Sequence, residues 1–185
     1  MSRVYLFMAD GFEEVEGLTV VDILRRAGVE TVTVSVTGRQ QVTGSHNITI
    51  TADGLFEEYD FADAACLVLP GGMPGTMHLK EHEGLVGLLK KTAEGGGRIG
   101  AICAAPSVLG DLGLLKGKKA VCYPGFEERL TGAEVLKEKV VTDGNITTSR
   151  GLGTAIPFAL RLTELLAGKE KAEETGNSIV FLKNS

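Results

Sequence analysis

The chain has 185 residues, 43% of them hydrophobic and 23% charged, with a formal net charge of −5. That length fits one domain, residues 1–185, with a sizeable core, and the charge includes no basic run or stripe of the kind that holds nucleic acid. No stretch approaches the ~20 apolar residues that span a bilayer, and the first apolar run, residues 4–9, is too short for the core of a secretory signal.

That first run is bounded by "DG", as a fully buried parallel strand would be. "EVEGLTVVDILRRAG" follows as a helix with Val15, Leu18, Val21, Ile23 and Leu24 near one face, basic residues in its last turn and Gly28 after it. "TVTVSV" is β-branched and short, a second strand, and "VTGSHNITITAD" alternates around turn residues, a small hairpin or peripheral strands. "ACLVL" is another buried strand and ends in the loop "PGGMPG". "EGLVGLLKKTAEGGG" is a helix with a glycine stop. "RIGAIC" is a strand, "PSVLGDLGLL" a short helix with Pro106 in its first turn, "KAVCYP" a further strand and "EERL" a helical turn. "NITTSRG" is a strand that enters a glycine loop. In "TAIPFALRLTELLAG", Pro157 makes the helix start near that residue or kink there. The charged remainder is a short helix and a surface tail. Strands alternating with helices predict an α/β fold, a mostly parallel sheet sandwiched by helices.

Cys66, Cys103 and Cys122 show no paired framework and no CxxC spacing, which is the pattern of reduced cytoplasmic thiols. Cys66 and Cys122 sit in apolar runs and read as packing. Cys103 has two readings: an inert core cysteine, or a nucleophile on a sharp strand-to-helix turn. Such a turn needs small residues two places to either side, here Ala101 and Ala105 in "AICAA". A helix start beside the sulfur would favour the thiolate.

In an open parallel sheet, ligands sit beyond the carboxyl ends of the strands. "DGFEEVE", "PGGMPG" and "CAAP" all fall there. Glu13, Glu14 and Glu16 are therefore candidate partners for the sulfur, against the plainer role of acidic residues at a helix start; Val15, predicted inward, does not decide which of them turns to the cysteine. His46 lies in the hairpin, and His78 and His82, four apart in "HLKEH", lack the Glu of HExxH and a third ligand, so they read as a solvated helix face. No histidine follows Cys103, which argues against a Cys-His hydrolase and against a class-I glutamine amidotransferase. No phosphate-cradling GxxxxGK[ST] loop is present.

Taken in order over almost the whole length, "ADGFEEVE", "LPGGMPG", "AICAAPSVL" and "TSRGLGTA" resemble the ThiJ/PfpI superfamily, within it the branch of the Parkinson-disease-associated protein deglycase and its bacterial covalent-chaperone relatives. The resemblance implies a flavodoxin-like three-layer α/β sandwich, a homodimer, and a nucleophile-elbow cysteine at Cys103. It implies that Glu16 is the buried carboxylic acid bonded to the sulfur. It makes the backbone of Gly71, Gly72 and Ala104 the oxyanion site, and Arg26 an interface arginine reaching towards the partner's site. Arg150 and Gly151 fall at the pocket-edge loop. Tyr123 stands where relatives carry a histidine; a phenol of pKa ~10 cannot serve as a base at neutral pH, although it can donate one hydrogen bond.

The implied activity is glutathione-independent chemistry on α-oxoaldehydes or their early protein adducts, of glyoxalase or deglycase type, without metal, nucleotide or other cofactor. The alternative is a stress-responsive chaperone that senses oxidation at Cys103 and is not a true enzyme.

Overall fold

The computed structural model describes residues 2–182. Its elements in chain order are β1 (Arg3–Met8), α1 (Glu14–Arg26), β2 (Thr31–Ser35), β3 (Gln41–Thr43), β4 (Thr49–Thr51), β5 (Gly54–Leu55) and β6 (Ala64–Leu69). There follow α2 (Gly75–Glu81), α3 (Glu83–Glu94), β7 (Arg98–Ile102), α4 (Pro106–Asp111), β8 (Lys119–Ala120), β9 (Glu134–Val135), β10 (Val140–Asp143), β11 (Ile146–Ser149), α5 (Ala155–Ala167) and α6 (Lys169–Ser178).

Seven strands form one sheet in the order β10-β11-β7-β6-β1-β2-β5. Every pairing is parallel except β10 with β11. The alternation of side chains along a strand divides the apolar run of β1 between two cores. Tyr5 and Phe7 pack with Leu67, Leu69, Ile99 and the inner faces of α2, α3 and α4, whereas Val4, Leu6 and Met8 pack with Val68, Ile102 and the inner faces of α1 and α5. A continuous apolar run is what a strand covered on both faces requires, and the result is a three-layer sandwich.

Two expectations change, one strand is added, and the expected start of α5 near Pro157 holds. Val15 and Leu18 are exposed, at 47% and 38%. Val21, Ile23 and Leu24 face inward as expected, joined there by Gly17 and Val20. "KAVCYP" does not extend the main sheet: β8 is two residues long and pairs with β9 in a small separate ladder. The antiparallel edge strand β10 was not foreseen, because "VVTD" is too short to carry a periodicity. Pro157 lies in the first turn of α5, where its missing N–H is harmless.

The main strands run β2-β1-β6-β7-β11, so the chain order reverses between β1 and β6. That reversal opens a crevice at the carboxyl end of the sheet, the usual ligand position in such folds. The loops that enter it stack backbone on backbone. Gly72, at φ +89°, has its missing Cβ position 2.3 Å from the amide nitrogen of Glu13, and Glu13 N–H donates to Gly71 O at 2.8 Å. This contact is why "PGG" follows β6. Gly72→Ala meets both a left-handed backbone and a backbone clash, and we expect it to lower stability by about 2 kcal/mol or more. The shift of the urea midpoint against wild type measures it; an unchanged midpoint would refute the account.

Candidate active site

Cys103 follows directly on the last residue of β7 and has φ +67°, the left-handed region that a side-chain-bearing residue rarely occupies. Two hydrogen bonds hold it there. Its N–H donates to Ser149 O at 2.9 Å, and its carbonyl accepts from Tyr123 N–H at 2.7 Å. A conformation costing about 1–3 kcal/mol persists only where neighbours over-determine it, and these two do. Ala101 and Ala105 are both fully buried, which the small residues of an elbow allow. Of the three free cysteines, Cys103 alone is partly accessible; Cys66 and Cys122 are buried, as their apolar surroundings predicted.

The three glutamates of "FEEVE" have separate positions. Glu13 stands at the N-cap of α1, within weak hydrogen-bond reach of Ser45 Oγ at 3.3 Å. Glu14 is buried and clamps the β3–β4 turn, accepting from the amides of His46 at 2.8 Å and Ile48 at 3.3 Å and facing His46 Nδ1 at 3.1 Å. Burial would raise its pKa, but these amides and the imidazole outweigh that and hold it below the ordinary value. Glu16 turns the other way, under the elbow. One of its oxygens accepts from Gly71 N–H at 2.9 Å, and its carboxyl lies against the Cys103 side chain, both within 3.0 Å of where a Cβ on Gly71 would be. Helical geometry separates the roles: Glu14 and Glu16 lie two residues apart, on different faces of α1.

The carboxyl of Glu16 is pushed up to about 7, chiefly by burial, with the charge of Glu13 adding to it. The thiol of Cys103 is pushed up to about 12, first by burial and then by the Glu16 charge, while the amides of Ala104 and Gly72 pull in the other direction. Burial and the Glu16 charge thus oppose the partly ionised sulfur that a helix start would favour. A carboxylate so placed can take the thiol proton as the sulfur attacks.

The structure brings Cys103, Glu16, Gly71, Gly72 and Ala104 together. Gly71 differs from the expected role: its amide is committed to Glu16, so it positions the carboxyl, and the amides facing the sulfur are those of Gly72 and Ala104. A Cβ on Gly71 would lie 2.5 Å from Cys103 Cβ, so glycine is required there. Tyr123 reaches the elbow through its amide, and its ring is half exposed beside Gly151. Arg26 is not in the site of its own chain. It sits at the opposite end of α1 from Glu16, exposed and paired with Asp22 at 2.6 Å.

The histidines are engaged elsewhere. His78 Nδ1 faces Asp10 O at 2.9 Å, His82 Nδ1 caps α3 by accepting from Leu85 N–H at 3.1 Å, and His46 lies against Glu14. Donor atoms of Glu13, Glu14 and His46 fall within 4.8 Å of one another, but those of Glu14 are already held by the hairpin. Sequence reasoning missed three neighbours of the site: Ser149, whose carbonyl anchors the elbow, and Lys137 and Lys139, which line a cavity beside Tyr123. The charged run "LKEKV" looks like any solvated loop, and nothing in it signals a cavity.

Residues 2–165 match the family model described as the DJ-1/PfpI family. The chain is 39% identical over 170 residues to Protein DJ-1 homolog B of Arabidopsis thaliana, covering 91% of this chain but only 39% of that longer one. It is 34% identical over 167 residues to a deglycase of Thermococcus kodakarensis, covering 89% of this chain and 99% of the relative. The structure superposes on oxidized Toxoplasma gondii DJ-1 with a TM-score of 0.94 at 35% identity, over 99% of this chain and 100% of that one. The sandwich and its cysteine elbow are thus those of a flavodoxin-like DJ-1 fold, and the chain belongs to the DJ-1/PfpI family.

Proposed function

We propose that the protein converts α-oxoaldehydes, free or as early adducts on proteins, to hydroxy acids without glutathione, using Cys103 as nucleophile and Glu16 as the proton carrier. The observation that carries this reading is the buried Glu16 carboxyl set directly against the Cys103 side chain, where burial pushes its pKa up to about 7. A proton-transfer group works best with a pKa close to the operating pH. The deglycase name of the Thermococcus relative supports the same class of chemistry.

The steps balance within the substrate and one water. Glu16 carboxylate takes the proton of Cys103 as sulfur bonds to the aldehyde carbon, and the proton passes to the new oxygen, giving a hemithioacetal. Glu16 then removes the hydrogen on that carbon, and the electron pair moves towards the neighbouring carbonyl, giving an enediol. Return of the proton to the second carbon gives a thioester: the first carbon has been oxidised and the second reduced. Water cleaves the thioester, releasing hydroxy acid and regenerating the thiol. The amides of Gly72 and Ala104 stabilise the oxyanion that develops at the carbon bound to sulfur. Tyr123 borders the pocket and is not asked to act as a base.

The test is lactate release from methylglyoxal without glutathione, comparing wild type with Cys103→Ser and Glu16→Gln. Turnover by wild type alone supports the reading; no lactate from wild type, or full turnover by Glu16→Gln, overturns it.

The relative that superposes on this chain in an oxidized form favours a second reading, oxidation sensing by a stress-responsive chaperone. Cys103, giving its proton to Glu16 as the sulfur attacks, would take one oxygen from each of two peroxide molecules, releasing two waters and ending as sulfinate. Mass measurement after mild peroxide decides it: a gain of two oxygens absent from Cys103→Ala supports sensing.

The homodimer belongs to this proposal too. Val15, Leu18, Ile48, Ile156 and Ile179 line an open apolar depression beside Arg26, a face suited to a second copy. Sedimentation equilibrium of wild type against Leu18→Glu measures it, with dissociation of the variant expected.

A further inference from the structure

Beside the elbow lies a cavity of about 490 Å³ lined by Tyr123, Pro124, Lys137, Lys139, Arg150, Gly151, Leu152, Gly153 and Thr154. It has three properties. First, it adjoins the chemistry: Gly151 stands on the shared border, and a Cβ placed there would lie 3.2 Å from the Tyr123 ring and 3.9 Å from an oxygen of Glu16. Second, it offers exposed apolar surface, with the Tyr123 ring half exposed and Leu152 51% exposed. Third, its charged lining is wholly cationic, in a protein whose net charge is −5. Glu127 feels two of these cations, its pKa being lowered by its own and Gly125's amides and then by Arg150 and Lys137.

Free methylglyoxal, with three carbons, fills a small part of this space and has no charge for the cations to meet. A lining that combines apolar side chains with three cations matches a tail that carries both an apolar part and an anion. We propose that this cavity is a substrate-tail subsite: it selects α-oxoaldehydes that carry a carboxylate or phosphate beyond an apolar spacer, with Lys137, Lys139 and Arg150 holding the anion and Tyr123 and Leu152 the spacer. The inference rests on the α-oxoaldehyde reading above for its substrate, but not for the subsite itself. Tails bearing a positive charge are disfavoured by the same field.

The first test compares conversion of phenylglyoxal, 4-carboxyphenylglyoxal and its 4-phosphate ester analogue to the corresponding mandelates. Wild type is expected to favour both anionic substrates about five- to tenfold in kcat/KM at low salt, and a preference for only one of them tells carboxylate from phosphate recognition. Lys137→Gln/Lys139→Gln should lose most of that preference, with the phenylglyoxal rate changed less than about twofold, because each exposed charge contributes a few-fold at most. Lys90→Gln/Lys91→Gln, with the same change in net charge on a distant helix, should keep it. Raising the salt should shrink the preference in wild type. Equal kcat/KM for charged and neutral substrates in wild type overturns the subsite while leaving the α-oxoaldehyde reading intact.

If wild type converts none of them, that reading fails and the subsite is judged by alkylation of Cys103. Sulfur displaces iodide from iodoacetanilide or from 4-(iodoacetamido)benzoate, which share a ring and differ in charge. Faster reaction of the benzoate in wild type, lost in Lys137→Gln/Lys139→Gln, supports the subsite, and equal rates refute it.

Discussion

Glu16→Gln is expected to lower turnover of methylglyoxal by about 1000-fold, within the range general acid–base groups supply, and at the same time to raise the melting temperature. The two effects share one cause. A carboxyl carried from 4.5 to about 7 by burial binds its proton more tightly in the folded chain than in the unfolded one. The stability this confers is fully present below pH 4.5 and is lost as pH rises through 7. Above 7 the buried carboxylate costs about 3 kcal/mol relative to a neutral group in its place. Glutamine keeps an oxygen to accept from Gly71 N–H and carries no charge. Part of that cost is therefore recovered, and the variant should melt about 5 °C above wild type at pH 8 and level with it at pH 4. The pH profile supplies an independent check. With Glu16 as base and the thiol held up near 12, kcat/KM of wild type should climb to a plateau above about pH 7, and the variant should show no step there. A variant as active as wild type, or one less stable at pH 8, contradicts this account.

Removing the sulfur has the largest expected effect on chemistry. Cys103→Ser and Cys103→Ala should retain less than about one thousandth of wild-type turnover, since no other accessible thiol replaces the nucleophile. Both should keep the fold, because the elbow is held by the backbone bonds to Ser149 and Tyr123 and not by the side chain. Cys103→Val separates geometry from chemistry. A β-branched residue at φ +67° is strained, and we expect a further loss of about 2 kcal/mol in urea titration that serine and alanine do not show. A valine variant as stable as the alanine variant would mean that the turn is softer than the two hydrogen bonds imply.

Glu14 shows why neighbouring residues of one motif cannot be exchanged in such experiments. It is as buried as Glu16, but its pKa lies below the ordinary value, because hairpin amides and His46 satisfy its charge. One carboxylate is held ionised by the hairpin and the other is held near neutrality beside the sulfur, and the difference lies in what each one meets.

The linear sequence determined the alternation of strands and helices, the two-sided burial of β1 and β6, and the small residues flanking Cys103, because these depend on local patterns: unbroken apolar runs, glycine stops and alanines at fixed offsets. It also brought three loops to one end of the sheet through the rule of strand ends. It did not determine which glutamate faces the sulfur, nor the outward direction of Val15 and Leu18. Those depend on the phase at which α1 docks against α5 and β1, and helix phase is a tertiary quantity. The titration of the Cys103–Glu16 pair likewise depends on packing, since burial raises both groups and the Glu16 charge raises the thiol further, whereas a helix start alone would have lowered it. The cationic cavity was invisible for the same reason: Lys137, Lys139, Arg150 and Tyr123 come from separate loops that meet only when β10 and β11 pair beside β7.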